Sequence, residues 1–390
     1  MDQKPSAGLV LGGGIAGLAF AAAMNRLGRP TKVLEAAEAL RAFGSGVVLG
    51  PTAMMSLRRL GLRDEVIASG QVLYRGGLAD LSMRPLAYDV FGYFGQRSGE
   101  PFVGIERATL VRLLADLVPD YRLNARYVAI EDRGHDVIAE LESGEQLQAP
   151  WAVLADGVRS VGRQQISVTD IRDAGQWCWR GIASDVELGE YGDGFLEAWG
   201  SEWRYGFTPV GYGRTYWFVT QRARTRRARE EIAQADRQAR LLEIAQQFPL
   251  LVGQLISATA TEKILENRLE DLAPMPTWHS RRLVCIGDAA HAMTPNLGQG
   301  ATQSLEDAVI LAKTITASED LSAAFAQFET LRRSRAQRTV REARMIGNLA
   351  HCPDWAAPAR NALMRRLPRS MSIRHIAWLY EDRKLAEALA

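Results

Sequence analysis

The hydrophobic pattern of the first 40 residues predicts a strand, a turn, a helix and a second strand. Residues 9–11 form a short apolar run of the kind that lies buried in a parallel sheet. Residues 15–27 form an alanine-rich helical stretch, which Gly28 and Pro30 bring to an end. Residues 31–35 then form the second predicted strand.

Two later segments each combine a predicted buried strand with an aspartate and a glycine. The strand within residues 153–157 ends in Asp-Gly, and the strand within residues 283–288 is followed by Gly-Asp. The pattern becomes helical after Gly300, and helices are predicted again from Asp320 to the end of the chain.

The middle of the chain differs in composition, because residues 177–218 contain twelve aromatic side chains. Residues 214–220 have the pattern of a strand, and six glycines between residues 192 and 213 are spaced as turns. We therefore predict an antiparallel sheet in which most aromatic side chains fill the core and a few form an apolar wall for a planar substrate. A second aromatic patch predicts another strand pair beside this wall: Tyr88, Phe91, Tyr93, Phe94 and Phe102.

The turn after the first strand has the glycine spacing of a dinucleotide-binding loop, with glycines at Gly12, Gly14 and Gly17. One glycine allows the tight turn, one lets backbone N–H groups approach a pyrophosphate, and one lets helix and strand pack closely. Glu35 ends the second strand, where a carboxylate can accept hydrogen bonds from a ribose hydroxyl. This unit predicts a dinucleotide site but leaves FAD and NAD as alternatives.

Charge and cysteine content narrow the possible partners. The 390 residues contain 47 basic and 45 acidic side chains, a net charge of +2, so we expect neither nucleic acid nor an acidic membrane surface as a partner. Residues 222–240 mix both signs and predict a solvated helix. Three widely separated cysteines predict reduced thiols and no metal site. Glycines interrupt the uncharged residues 5–25, so we expect no signal peptide or membrane span and a cytoplasmic protein.

The three motifs together resemble the class A flavoprotein monooxygenases, which are single-component FAD-dependent aromatic hydroxylases, over nearly the whole chain. The resemblance implies an α/β fold with a discontinuous Rossmann-like FAD-binding domain, an inserted antiparallel β-sheet substrate domain and C-terminal helices. We assign residues 1–74, 101–168 and 270–345 to the FAD-binding domain. Residues 75–100 and 169–269 would form the substrate domain, and residues 346–390 the C-terminal helical segment.

The resemblance also implies which residues hold FAD. Glu35 would bind the adenosine ribose, Asp288 the ribityl chain, and the loop from Gly298 to Thr302 would lie against the isoalloxazine ring. A helix that starts near Gly300 would stabilise the negative charge of the reduced ring. Asp156 is alternatively a helix N-cap, and Arg107 alternatively a solvated residue at a helix start. The complete predicted cofactor set is Gly12, Gly14, Ala16, Gly17, Glu35, Ala36, Gly46, Arg107, Tyr127, Asp156, Asp288, Pro295, Gly298, Gln299, Gly300, Ala301 and Thr302.

The same resemblance implies the reaction. NADPH or NADH would reduce FAD, and O2 would pass through a flavin C4a-hydroperoxide to a small aromatic or heteroaromatic ring. Arg204 and Tyr216 match positions that face the substrate in urate-type hydroxylases, although outward-facing side chains are an equal alternative. We expect His291 to be a structural hydrogen-bonding residue and the protein to be a monomer or homodimer.

Three alternative functions remain. An epoxidase or heteroatom oxygenase would use the same cofactor chemistry. A halogenase is disfavoured because its essential lysine has no counterpart, since no lysine lies between residues 33 and 262. A flavin-binding protein without turnover is the third alternative.

Overall fold

A computed structural model describes residues 8–40, 45–87, 89–222 and 233–389. Within these ranges the strands are, in chain order, β1 (Leu9–Leu11), β2 (Lys32–Leu34), β3 (Gly46–Leu49), β4 (Gln71–Leu73), β5 (Arg75–Asp80), β6 (Pro85–Ala87), β7 (Phe102–Glu106), β8 (Tyr121–Arg122), β9 (Tyr127–Asp132), β10 (Val137–Leu141), β11 (Gln146–Ala149), β12 (Ala152–Leu154), β13 (Ile171–Ser184), β14 (Gly194–Trp199), β15 (Trp203–Pro209), β16 (Arg214–Arg222), β17 (Leu265–Leu272) and β18 (Leu283–Cys285).

The helices of the described ranges alternate with these strands and then dominate the C-terminal part. In chain order they are α1 (Ile15–Arg26), α2 (Pro51–Leu60), α3 (Arg63–Ser69), α4 (Phe91–Ser98), α5 (Arg107–Ala115), α6 (Arg237–Ala245), α7 (Leu250–Ser257), α8 (Asp288–His291), α9 (Gly300–Ala317), α10 (Leu321–Ala350), α11 (Ala357–Arg366), α12 (Arg369–Tyr380) and α13 (Arg383–Leu389). No described helix is long and apolar enough to cross a membrane.

A parallel sheet in the order β18-β12-β1-β2-β8 forms the centre of the first layer. Its three central strands contain buried aliphatic residues, and α1 and α9 pack together over it, which completes one large hydrophobic core. The predicted strand, turn, helix and strand of the first 40 residues are confirmed, as are the later strands at β12 and β18.

A second, seven-stranded sheet has the order β17-β13-β16-β15-β14-β5-β6. Its pairs are antiparallel except that β14 pairs with β5 in parallel, so the prediction of a purely antiparallel sheet is wrong at this one pair. Helices α6 and α7 cover one face, where their leucine and isoleucine side chains join the tryptophans of the sheet in a second core.

The aromatic patch after β6 does not form the predicted strand pair. Phe91, Tyr93 and Phe94 lie in helix α4, and Phe102 lies in β7, which belongs to a separate sheet in the order β3-β7-β4. A helix suits this segment because residues three apart share a helical face, and Phe91 and Phe94 both contact the cluster around Phe102. Tyr88 lies outside the described residues.

Several sequence-based boundaries fall inside elements. Residue 222 ends strand β16, so the predicted helix over residues 222–240 is wrong at its start, whereas residues 237–240 are helical as the first turn of α6. Residues 223–232 lie outside the described ranges. The predicted domain boundary at residues 269–270 falls within β17, and the boundary at residues 345–346 falls within α10. A further three-stranded sheet, in the order β11-β10-β9, completes the structure.

Candidate active site

A cavity of about 950 Å³ is lined both by loops at the ends of the parallel sheet and by one face of the seven-stranded sheet. Most of the predicted cofactor residues line it: Gly12, Gly14, Ala16, Glu35, Gly46, Arg107, Asp156, Asp288, Pro295, Gly298, Gln299, Gly300 and Ala301. Arg204 and Tyr216 also line it. Four predicted residues, namely Gly17, Ala36, Tyr127 and Thr302, are not among the lining residues. The cavity has the size of a ligand or cofactor site.

The glycine loop shows why each glycine is present. Gly12 has a φ of +118°, and a Cβ there would lie 2.3 Å from the carbonyl oxygen of Ala155. A Cβ at Gly17 would lie 2.0 Å from the carbonyl oxygen of Gly12, so Gly17 permits helix α1 to pack against the loop. A Cβ at Gly14 would meet no atom within 4 Å, because this residue precedes α1 and faces the cavity. The open space beside a helix N-terminus fits a pyrophosphate.

Glu35 is held in place by the same loop. Its Oε2 accepts a hydrogen bond from the Gly13 backbone N–H at 2.7 Å, and its Oε1 accepts one from Ala37 at 2.8 Å. Each carboxylate oxygen keeps a further lone pair for a hydroxyl donor. Ala36, between these contacts, is positioned by the carboxylate but does not line the cavity.

The second loop of the cofactor set precedes α9. Gly298 has a φ of +63° and ends a short 3-10 turn, and neither Gly298 nor Gly300 would bring a Cβ within 4 Å of another atom. The N–H groups at the start of an 18-residue helix therefore border open space. Thr302, the third residue of α9, is fully buried.

Asp288 and Arg107 bring opposite charges to the cavity. Asp288 is the first residue of α8, and its side chain is exposed in the cavity wall. Its pKa is raised because the surrounding protein limits hydration of the carboxyl, although His291 and Arg107 partly offset this effect. Arg107 begins helix α5 and is half-buried, and burial lowers its pKa despite the nearby Asp288. Its position in the cavity wall disfavours the alternative of a solvated arginine.

Behind Asp288 lies a buried ionic cluster that comprises His291, Asp307, Glu306 and Arg332. The His291 Nε2 lies 2.5 Å from an Asp307 oxygen, which also accepts a hydrogen bond from the Gly287 N–H at 2.9 Å. The prediction of a structural His291 is confirmed by this contact. Asp307 thereby fixes the turn that presents Asp288, and no sequence motif singled out Asp307 or Arg332.

Asp156 joins the cavity to the loop that follows β12. Its Oδ2 accepts hydrogen bonds from the Tyr127 hydroxyl and from the Val161 N–H, the latter at 3.0 Å. Its Oδ1 is buried without a protein partner, and burial raises the pKa of the carboxyl. Asp156 thus accepts a hydrogen bond from the start of the turn at Val161 and keeps Oδ1 without a protein partner. Tyr127 does not line the cavity; its hydroxyl donates to Asp156.

Period-two alternation separates the two faces of the seven-stranded sheet. The face covered by α6 and α7 carries Trp177, Trp179, Trp203, Tyr205, Phe207 and Trp217. The other face lines the cavity with Cys178, Arg180, Phe195, Glu197, Trp199, Arg204, Tyr216, Phe218 and Thr220. The prediction that most aromatic side chains fill the core while a few form a cavity wall is confirmed.

Arg204 and Tyr216 both face inward, but their surroundings differ. Arg204 is 1% exposed, forms an ion pair with Glu197, and donates to the side-chain oxygen of Asn296 at 2.6 Å. Tyr216 lies against Gly46, and a Cβ added to Gly46 would come within 2.6 Å of the Cβ of Tyr216. Burial raises the pKa of the Tyr216 hydroxyl. Glu197 and Asn296 were missed as site residues; the placement of Glu197 two residues from both Phe195 and Trp199 was the available signal.

The sequence also did not predict a wall formed by C-terminal residues. Helices α10, α11 and α12 and the residue after α11 contribute apolar side chains to the same cavity: Ile346, Leu349, Met364, Leu367, Met371 and Ile376.

The chain is similar to known proteins over most of its length. The FAD binding domain family matches residues 6–343. Aurachin C monooxygenase/isomerase of Stigmatella aurantiaca is 33% identical over 92% of this chain and 94% of its own length. The 2-heptyl-3-hydroxy-4(1H)-quinolone synthase of Pseudomonas aeruginosa is 29% identical over 93% of this chain and 94% of its own length.

A solved structure shares the fold. Klebsiella pneumoniae HpxO complexed with FAD and uric acid superposes with a TM-score of 0.85 at 23% identity, over 97% of each chain. Because the family match spans most of the sequence, the chain belongs to the FAD binding domain family and is an FAD-dependent monooxygenase.

Proposed function

We propose that the protein uses NAD(P)H and O2 to hydroxylate a small aromatic or heteroaromatic ring held in this cavity. The observation that carries the proposal is that cofactor-type loops and an aromatic sheet face line one continuous cavity. FAD supplies the redox and oxygen chemistry when it is bound. The open cradle at Gly14 and the unpartnered Oδ1 of Asp156 support its fit to this chain.

Each cofactor contact follows from the chemistry of the residues. The N-terminus of α1 would hold the pyrophosphate, Glu35 the adenosine ribose, and Asp288 the hydroxyls of the ribityl chain. The N-terminus of α9 would stabilise negative charge on the ring system. Arg107, which also lines the cavity, would balance the negative charge of the phosphates.

The sheet face would position the substrate ring and exclude water. Phe195, Trp199 and Phe218 provide flat apolar surface. Tyr216 is protonated at neutral pH, as an ordinary tyrosine is, and burial raises its pKa further, so its hydroxyl can donate a hydrogen bond to an oxygen on the ring. Arg204 is paired with Glu197, whereas Arg180, which also lines the cavity, donates to the neutral side chain of Asn267, so a guanidinium is available to a ring oxygen beside the tyrosine.

The relatives support a nitrogen heterocycle. One is named for a heptyl-hydroxyquinolone, and a protein of the same fold binds uric acid. Both ligands contain ring nitrogen and ring-bound oxygen, which suits a site lined by the Tyr216 hydroxyl, Arg180 and Arg204.

The test is substrate-stimulated NAD(P)H oxidation by the FAD-loaded protein. A panel of hydroxylated benzoates, quinolones and purines would be assayed with NADH and NADPH, and products identified by mass. We expect stimulation by at least one ring and a product one oxygen atom heavier. Tyr216→Phe should reduce this activity, whereas Tyr212→Phe, at a side chain that is 68% exposed, should not.

Two results would overturn the proposal. Absence of stimulation across the panel by FAD-loaded protein would favour flavin binding without turnover. A product that forms only with chloride would identify a halogenase.

A further inference from the structure

One wall of the cavity is mainly apolar. The residues that β5, β6, the start of α4 and helices α10 to α12 contribute to the lining contain no aspartate, glutamate, lysine or arginine, and their polar side chains are Ser372, His375 and Tyr380, all on α12. The charged lining residues Glu35, Arg107, Asp156, Arg180, Glu197, Arg204 and Asp288 all belong to other elements. The apolar members of this wall, here called the hydrocarbon wall, are Leu78, Ala87, Val90, Phe91, Ile346, Leu349, Met364, Leu367, Met371 and Ile376.

The hydrocarbon wall is not an ordinary closed core. Met371 is 51% exposed and Leu349 is 45% exposed, and Leu78, Ile346 and Met364 are only partly buried. Apolar surface in contact with water is unfavourable by about 25 cal/mol per Å². An apolar occupant would remove this contact, whereas a polar one would lose much of its hydration and find hydrogen-bonding side chains there only on α12, at Ser372, His375 and Tyr380.

The hydrocarbon wall is continuous with the polar part of the site through Trp199. This side chain packs with Leu86 and Ala350 beside the hydrocarbon wall, and its indole N–H donates to Glu197 at 2.6 Å. The cavity therefore changes from charged and hydrogen-bonding to mainly apolar within one side chain. A matching ligand has a polar head and a hydrocarbon part.

We propose that the substrate ring carries a hydrocarbon substituent several carbons long, which lies along the hydrocarbon wall. This inference rests on the proposed hydroxylation and specifies its substrate class. The ring occupies the part of the cavity near Glu197 and Tyr216. The hydrocarbon substituent extends from there along the residues that β6 and the C-terminal helices contribute to the hydrocarbon wall, where α11 packs beside β6.

The experiment measures binding separately from turnover. The FAD-loaded protein is titrated with 2-methyl-, 2-propyl-, 2-pentyl- and 2-heptyl-4(1H)-quinolone, each below its aggregation concentration, and Kd is obtained from protein fluorescence. Complete burial of each added methylene predicts about fourfold tighter binding per carbon. Stimulated NAD(P)H oxidation is measured with the same compounds.

Variants locate the effect. Leu367→Lys places a charge on the hydrocarbon wall and should abolish most of the gain with chain length. The matched control is Leu363→Lys in helix α11, which ends one residue before Leu367. The Leu363 side chain is 64% exposed and does not line the cavity. Ala87→Phe, from the β6 side, should stop the gain at a shorter chain. Circular dichroism and the bound-flavin spectrum establish that each variant is folded.

Each outcome decides the inference. Equal Kd for all four quinolones, absence of binding, or an unchanged gain in both Leu367→Lys and Ala87→Phe overturns it. Equal stimulation and KM for the methyl and heptyl compounds leaves the proposed hydroxylation standing and overturns the hydrocarbon substituent. A gain with chain length that Leu367→Lys removes supports the inference, even if no quinolone is oxidised, in which case the proposed reaction on this ring fails instead.

Discussion

Replacement of Arg332 by methionine tests how the buried ionic cluster supports the site. The Arg332 guanidinium is fully buried, lies 2.6 Å from a Glu306 oxygen, and donates to Asp307 at 2.8 Å and to the Gln303 side chain at 2.8 Å. Arg332→Met retains much of the side-chain volume but leaves two buried carboxylates with less compensation. Loss of one partner from a buried pair costs about 3–5 kcal/mol, so we expect the free energy of unfolding to fall by that amount.

The variant should also bind FAD more weakly. Asp307 holds the Gly287 N–H and thereby the turn that presents Asp288 to the cavity. Without its arginine partner, we expect the Asp307 carboxylate to rotate towards other donors, so that the turn no longer holds Asp288 in a fixed position. Stability is measured by urea unfolding followed by circular dichroism, and FAD affinity by calorimetry on the apoprotein.

The pH dependence gives an independent check. Burial raises the pKa of Glu306 and Asp307, but Arg335, Arg332 and His291 more than offset it, so the pKa of each carboxyl is lowered overall. Such a group contributes stability above its unfolded pKa of about 4 and loses it as pH falls through the folded value. The difference between wild type and variant should therefore be complete at pH 7 and shrink below about pH 4.

The matched control is Arg341→Met on the same helix, because that side chain is exposed. Its effect should stay within about 0.5 kcal/mol. If Arg332→Met destabilised the protein no more than Arg341→Met, or if its effect were the same at pH 3 and pH 7, the reasoning would be refuted.

Three further predictions concern the cofactor loops and the thiols. Gly14→Ala should change the stability of the apoprotein by no more than about 0.5 kcal/mol but weaken FAD binding about tenfold, because the new methyl meets only cavity space. Gly17→Ala, whose Cβ would lie 2.0 Å from a carbonyl oxygen, should reduce both stability and FAD affinity. Urea unfolding measures the stability of each variant, and calorimetry measures its FAD affinity. Asp288→Asn should weaken FAD binding about 10- to 100-fold. Because the surrounding protein raises the pKa of Asp288, the wild-type protein should begin to lose FAD on acidification at a pH above the usual pKa of an aspartate. FAD retention that is unchanged down to pH 4 would contradict this. Burial also raises the pKa of the Cys285 thiol, so the folded protein should not react there with a thiol reagent that modifies it in urea, and rapid modification of native protein at Cys285 would show the assignment to be wrong.

The parallel sheet could be predicted because its strands are short apolar runs with diagnostic neighbours. β1, β12 and β18 are each three buried residues long and end at a glycine or aspartate that belongs to a motif. Helix α4 could not be predicted in the same way, because the aromatic content of residues 91–94 also suits a strand. Its conformation is decided by packing against Phe102, which lies in a different sheet.

The cofactor loops could also be predicted, since glycine and acidic residues at fixed spacing are required by backbone geometry within one short segment. Gly12 and Glu35 lie in one such segment, although the contact that excludes a Cβ at Gly12 comes from Ala155, which follows the neighbouring strand β12. The partners of Arg204 could not be predicted, since Glu197 and Asn296 are brought to it by sheet pairing and by the loop before α9. The same holds for the hydrocarbon wall, whose residues are separated by nearly 300 positions in the chain.

The two faces of the seven-stranded sheet show what a single strand can and cannot reveal. Alternation in β16 separates Trp217 and Val219 from Tyr216 and Phe218, but both pairs are apolar enough for a core. The neighbouring strands separate the faces further. Arg180 and Arg204 are in register with the second face, whereas the charged residues in register with the first face, Glu266 and Arg268, lie on the edge strand β17. Charged side chains on a strand face rich in aromatic residues would be costly in a closed core and are tolerated beside a polar cavity. A mixture of aromatic and charged residues at period two on the central strands β14 to β16 therefore marks the ligand-facing side of this sheet, and the side on which these strands carry aromatic and aliphatic residues marks its core.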